Sequence, residues 1–100
     1  MPVRPGLSGH SGSVSFRYCN NTTKYLRHSN FEMFNEVYDN SRLFELDSTF
    51  IEHDGFFPGT TSYESVNLQN RYIRHSYSRL RLDTYSDAQL FKQDASFYEV

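Results

Sequence analysis

Tryptophan is missing from this sequence of 100 residues, cysteine occurs once and alanine only twice. A lone Cys19 excludes an intrachain disulfide and any cysteine-rich zinc set, and its expected place is that of a small buried apolar residue. So little alanine, among so many aromatic, Thr and Ser residues, favours strands over helices. No apolar run approaches the roughly 20 residues that a transmembrane helix needs, so no membrane partner is expected. The opening stretch MPVRPGLSGHSGS also lacks the apolar core of a signal peptide. Nor is one sign of charge in excess: 10 Lys and Arg face 12 Asp and Glu, a net charge of −2. That balance speaks against a nucleic-acid surface. The arginines between 71 and 81 are soon followed by Asp83, Asp87 and Asp94 and read as a solvated strand face. A chain of this length makes one small domain with a thin core.

What the chain does have is aromatic side chains, eight Tyr and nine Phe, and a phrase written twice: KYLRHS at 24–29 and RYIRHS at 71–76. His28 and His75 stand 47 positions apart, and the same offset runs along the chain without a gap. Gly12 meets Gly59, Ser15 meets Ser62 and Asn20 meets Asn67. Tyr25, Arg27 and Ser29 meet Tyr72, Arg74 and Ser76. Tyr38, Leu43, Phe44, Asp47, Phe50 and Glu52 meet Tyr85, Leu90, Phe91, Asp94, Phe97 and Glu99. The reading is a duplication: a leader over 1–11, one unit over 12–58 and a second over 59–100.

Each unit reads as four short strands, the spacing of an all-β barrel or sandwich. The first strand is expected over 13–19 and 61–66 and the second over 25–28 and 72–75, with 33–34 and 80–82 on or near its continuation. The third falls at 43–45 and 90–92, and the fourth at 49–52 and 96–99. NFEMFNEV has apolar residues at helical spacing, but its repeat partner YSRLRLDT alternates, so a helix is rejected there. Leu43, Leu90, Phe44, Phe91, Phe50 and Phe97 are expected core. Arg27 and Arg74 are expected on the exposed strand face, covering Tyr rings.

Three spaced signatures recur in order in both units: Tyr-Leu/Ile-Arg-His, then Leu-Phe, then Asp-Ser/Ala-Ser/Thr-Phe. They resemble the arabinose-binding module of α-L-arabinofuranosidase B, the family 42 carbohydrate-binding modules, and the resemblance covers nearly the whole chain. It implies a β-trefoil, a three-lobed barrel, of which this chain holds two repeats. It also implies recognition of arabinofuranosyl side branches on hemicellulose such as arabinoxylan or arabinan. The third lobe then belongs to a longer protein or to an incomplete gene, or else another copy completes the barrel by self-association.

In that family the His and Asp of these motifs line the sugar pockets, which carries His28, Asp47, His75 and Asp94 over as sugar-binding residues. Each Asp follows its His by 19 positions. An ionised carboxylate accepts two hydroxyl hydrogen bonds, and a neutral imidazole adds one donor and one acceptor. The bland alternative stays open: each His and Asp could pair with each other and staple its unit. Ser29 and Ser76, followed by Asn30 and Tyr77, are expected in the pocket wall. Alanine at Asp47 and Asp94 together is expected to abolish binding and leave the fold intact.

Without Trp there is no flat platform for crystalline polysaccharide, and small pockets fit better. Acidic residues recur one per unit, not as the facing pair that glycoside hydrolysis requires. No phosphate loop, nucleophile elbow or zinc spacing appears, so no catalytic residue, cofactor or metal is expected. The catalytic domain of the resembled arabinofuranosidase is absent from this chain. The competing class is a structural or protein-interaction trefoil remnant with idle pockets.

Overall fold

The computed structural model describes residues 1–98. Its elements, in chain order, are β1 (Pro2–Val3), β2 (Ser13–Phe16), β3 (Lys24–Ser29), β4 (Glu32–Val37), α1 (Arg42–Asp47), β5 (Phe50–Asp54), β6 (Thr61–Ser65), β7 (Arg71–Ser76), β8 (Arg79–Thr84) and α2 (Gln89–Asp94). All strand pairs are antiparallel, in one eight-stranded sheet of order β1-β2-β5-β6-β7-β8-β4-β3 that curls into a half-barrel. The pairing itself repeats. The bridge between Arg17 and Tyr25 recurs as Glu64 with Tyr72, and Val14 with Phe50 recurs as Thr61 with Phe97.

The twice-written phrase is the first arm of a hairpin. β3 pairs β4 from Lys24 with Val37 to Ser29 with Glu32, and β7 pairs β8 from Arg71 with Thr84 to Ser76 with Arg79. Residues 33–34 and 80–82 therefore lie on a separate, returning strand, not on a continuation of the second. The reversal takes two residues, Asn30–Phe31 and Tyr77–Ser78, all four with positive φ between 49° and 66°. Such mirror-image turns match the right-handed twist of the flanking strands. Gly12 and Gly59 likewise share positive φ, 73° and 80°, where a side chain would be strained.

The expected third strand is a helix in both units. A six-residue helix is too short for its period to show in a sequence window of 11 residues or more. Local chemistry makes it. The Ser41 hydroxyl accepts from the Phe44 amide at 3.0 Å at one end. At the other, Ser48 and Thr49 hydroxyls donate to the Phe44 and Glu45 carbonyls at 2.8 and 2.7 Å. One face of α1 buries Phe44 and Asp47, and that of α2 buries Phe91 and Asp94. Leu43 and Leu90 consequently point outward, each 63% exposed, which corrects their assignment to the core. Cys19 is also exposed rather than buried.

Val14, Met33, Phe50, Tyr63, Ile73 and Leu82 form the core. The leader is tied down against it. β1 pairs β2, and the Gly6, Leu7 and Ser8 amides donate to Ser13, Ser15 and Thr49 hydroxyls at 2.9–3.0 Å. The fourth strand is β5 in the first unit. In the second, Phe97 bridges Thr61, and the rest of that expectation at Glu99 lies outside the described residues. Beside the core lies a mostly apolar recess of about 430 Å³ lined by Phe16, Leu26, Tyr63, Ile73, Leu80 and Phe97, with Arg4 among its other residues.

Candidate functional site

Strand alternation and helix pitch bring His28 and Asp47 together. His28 is next to last on β3 and Asp47 is the last residue of α1, three positions after Phe44 on the same inner face. His28 Nε2 lies 3.5 Å from Asp47 Oδ1. The second unit repeats the pair at the same 3.5 Å between His75 and Asp94. Behind each acid stands an arginine: Arg27 Nη2 pairs with Asp47 Oδ2, and Arg74 Nη2 with Asp94 Oδ2. Each guanidinium also lies over the helix aromatic, Arg27 at 5.0 Å from the Phe44 ring centroid and Arg74 at 5.5 Å from that of Phe91. These arginines are less than a fifth exposed and cover Phe rings, where the sequence suggested exposed residues covering Tyr. The arginine holds one carboxylate oxygen and orients the other toward the histidine.

The surroundings of the two pairs differ. His28 and Asp47 are each only 6% exposed. Asn67, which follows β6 in the second unit, spans them: its Nδ2 donates to Asp47 Oδ1 at 2.8 Å, and its Oδ1 meets His28 Nε2 at 2.8 Å. Ser65 donates to the same Oδ1 at 2.9 Å. Among the described residues the second pair has no such neighbour. The His75 side chain is 59% exposed, against 11% for Asp94.

Ser29 and Ser76 end β3 and β7, so strand alternation turns them to the face opposite their histidines. Asn30 and Tyr77 sit in the hairpin turns, Tyr77 fully exposed at the tip. The sequence singled out neither arginine as part of a site and gave Asn67 no role. A signal for the arginines was available, because Arg27–Asp47 and Arg74–Asp94 share a spacing of 20. Asn67 acts on the other unit, so no pattern within one unit reveals it. Among the described residues no group of three His, Cys, Asp or Glu is clustered as a metal would need.

Beside α1, Tyr38 donates its hydroxyl to Glu45 Oε2. This bond pushes the phenol above its ordinary value and, aided by Arg42, holds the Glu45 carboxyl below the usual range. A carboxyl whose folded pKa is depressed contributes stability above its unfolded value and loses it as pH falls through the folded one. Tyr38→Phe is therefore expected to move the Glu45 titration upward, read by carbon-13 NMR of the carboxyl, and to shrink the share of acid destabilisation that this carboxyl contributes. An unmoved titration would show that the hydroxyl does not hold this carboxylate.

Comparison with known proteins follows the same lines. The family model described as the Alpha-L-arabinofuranosidase B (ABFB) domain matches residues 2–99. Among solved structures, a mutant GH54 α-L-arabinofuranosidase soaked with 4-nitrophenyl α-L-arabinofuranoside is similar at 28% identity and a TM-score of 0.81, over 89% of this chain and 20% of that one. An arabinofuranosidase complexed with arabinofuranosyl-α-1,2-xylobiose is similar at 27% identity and 0.80, over 86% and 19%. This chain thus spans about a fifth of those proteins. No curated protein matches.

Proposed function

Because this chain belongs to the alpha-L-arabinofuranosidase B (ABFB) domain family, we propose that it is a non-catalytic carbohydrate-binding module for L-arabinofuranosyl side chains of hemicellulose such as arabinoxylan. The observation that carries this reading is the same His–Asp–Arg set built twice at equal spacing. A carboxylate braced by an arginine keeps lone pairs for ring hydroxyls, and the imidazole beside it adds a further hydrogen bond. Two weak pockets on one chain gain by acting together on a branched polymer. The fold proposed with it is a trefoil in which 12–58 and 59–100 are two lobes. The apolar recess is the face a third lobe covers, and in the chain alone it is the face through which copies associate. A native mass above 11.8 kDa would report that association.

The test is Asp94→Ala. Titration with arabinofuranosyl-α-1,2-xylobiose is expected to fall from two sugars per chain to one, and retention on arabinoxylan to weaken about 10-fold or more through lost avidity. Asp94 is buried and paired with Arg74, so the variant costs stability, and the titration is read under conditions where its circular dichroism spectrum matches that of the unaltered chain. Undiminished stoichiometry and retention would remove Asp94 from the site. One observation favours a second reading for the first unit alone: His28 and Asp47 are nearly enclosed and bridged by Asn67. There the pair also works as a clamp between units, and a wild-type stoichiometry of one would assign it that role only.

A further inference from the structure

We propose that Asn67 is a positioning residue for the first pocket, supplied by the neighbouring unit, which fixes His28 with its proton on Nε2 and its Nδ1 bare as the acceptor for a sugar hydroxyl. The inference rests on the sugar-binding reading and goes further by giving the two pockets different strengths. Its geometry is an elimination. An ionised carboxylate only accepts, so the Asn67 atom at 2.8 Å from Asp47 Oδ1 is the amide nitrogen. The amide oxygen then faces His28 Nε2 at 2.8 Å, and an amide oxygen only accepts, so Nε2 must donate. Ser65 donates to that same oxygen at 2.9 Å and holds the amide in this orientation. His28 Nδ1 makes no hydrogen bond among the described residues and is the ring nitrogen left for a ligand. A neutral imidazole carries one proton, so fixing it on Nε2 leaves Nδ1 as the acceptor.

His75 has the same acid at the same 3.5 Å and, among the described residues, no amide beside it. Its ring is 59% exposed, and no amide oxygen selects its tautomer. Any ligand there must first order the histidine, a cost the first pocket has already met within the fold. Asn20, the counterpart of Asn67 in the first unit, is exposed and lies outside both pockets.

Nitrogen-15 NMR of the ring nitrogens, recorded well above the usual imidazole range, tests the geometry on the unaltered chain. His28 is expected in a single Nε2–H form and His75 as a mixture. A Nδ1–H form at His28 would overturn the inference without any variant having to fold. The pocket role is read in the Asp94→Ala chain, where only the first pocket remains. Adding Asn67→Ala is expected to turn His28 into a tautomer mixture and to weaken affinity for arabinofuranosyl-α-1,2-xylobiose about 10-fold, the loss of one bond to a positioned group. Unchanged affinity with a changed tautomer would overturn the positioning role. If the unaltered chain binds the sugar and Asp94→Ala does not, the inference falls and the sugar-binding reading survives. If the unaltered chain binds none, the reading itself fails, and the His28 tautomer still reports the geometry.

Discussion

Asp47→Ala is expected to destabilise the protein by about 3–5 kcal/mol, the cost of removing one partner from a buried ion pair. The substitution leaves the Arg27 guanidinium, 18% exposed, with only the half-exposed Glu36 carboxylate at 3.7 Å, and it leaves the Asn67 amide and the His28 ring without the acid they share. A domain of this size holds roughly 5–15 kcal/mol in all. The urea midpoint should therefore fall far, and the lobe-to-lobe contact through Asn67 should loosen with it. From the sequence, alanine at both acids removed binding and spared the fold. Burial changes that expectation for both acids, since Asp94 is 8% exposed and pairs with Arg74 in the same way; Asp47 holds the Asn67 amide in addition, so its loss costs more. A loss below about 1 kcal/mol for Asp47→Ala would mean that the network is solvated and contributes as little as a surface pair.

Phe50→Ala is expected to cost a similar amount, about 3–5 kcal/mol, for a different reason. Phe50 is fully buried, pairs across the ladder with Val14 on one side and Ser65 on the other, and lies 6.3 Å, ring to ring, from Phe16. Removing the ring leaves a cavity at the seam of the two units, where strands on both sides limit collapse. Its repeat counterpart Phe97 is only partly buried beside the recess, so Phe97→Ala serves as the control with a clearly smaller loss. Equal losses at the two positions, in chemical denaturation of both variants, would contradict this account of the core.

The duplication made most of the architecture legible. Tyr25 and His28 could be placed on a strand because strand alternation has a period of two and is visible within six residues; the two-residue turns after Ser29 and Ser76 were missed, since neither carries the glycine that usually marks them. The helices were not legible, since Arg42–Asp47 and Gln89–Asp94 are shorter than the window that shows a helical period, and Leu-Phe in sequence looks like any buried strand. That misreading sent Leu43 and Leu90 to the core and hid why the acid points inward: Phe44 and Asp47 share a helix face. The His–Asp pairing was visible from its fixed spacing. The difference in exposure between His28 and His75 was not, because the network around His28 includes Asn67, a residue of the other unit.

That dependence on a neighbour ties the first His–Asp pair to the seam between the two units. Asn67 reaches His28 and Asp47 from just beyond β6, and β6 is held in register by β5 through Phe50 and Ser65. A change at the seam that shifts β6 therefore moves the amide, and with it the histidine, without touching either member of the pair.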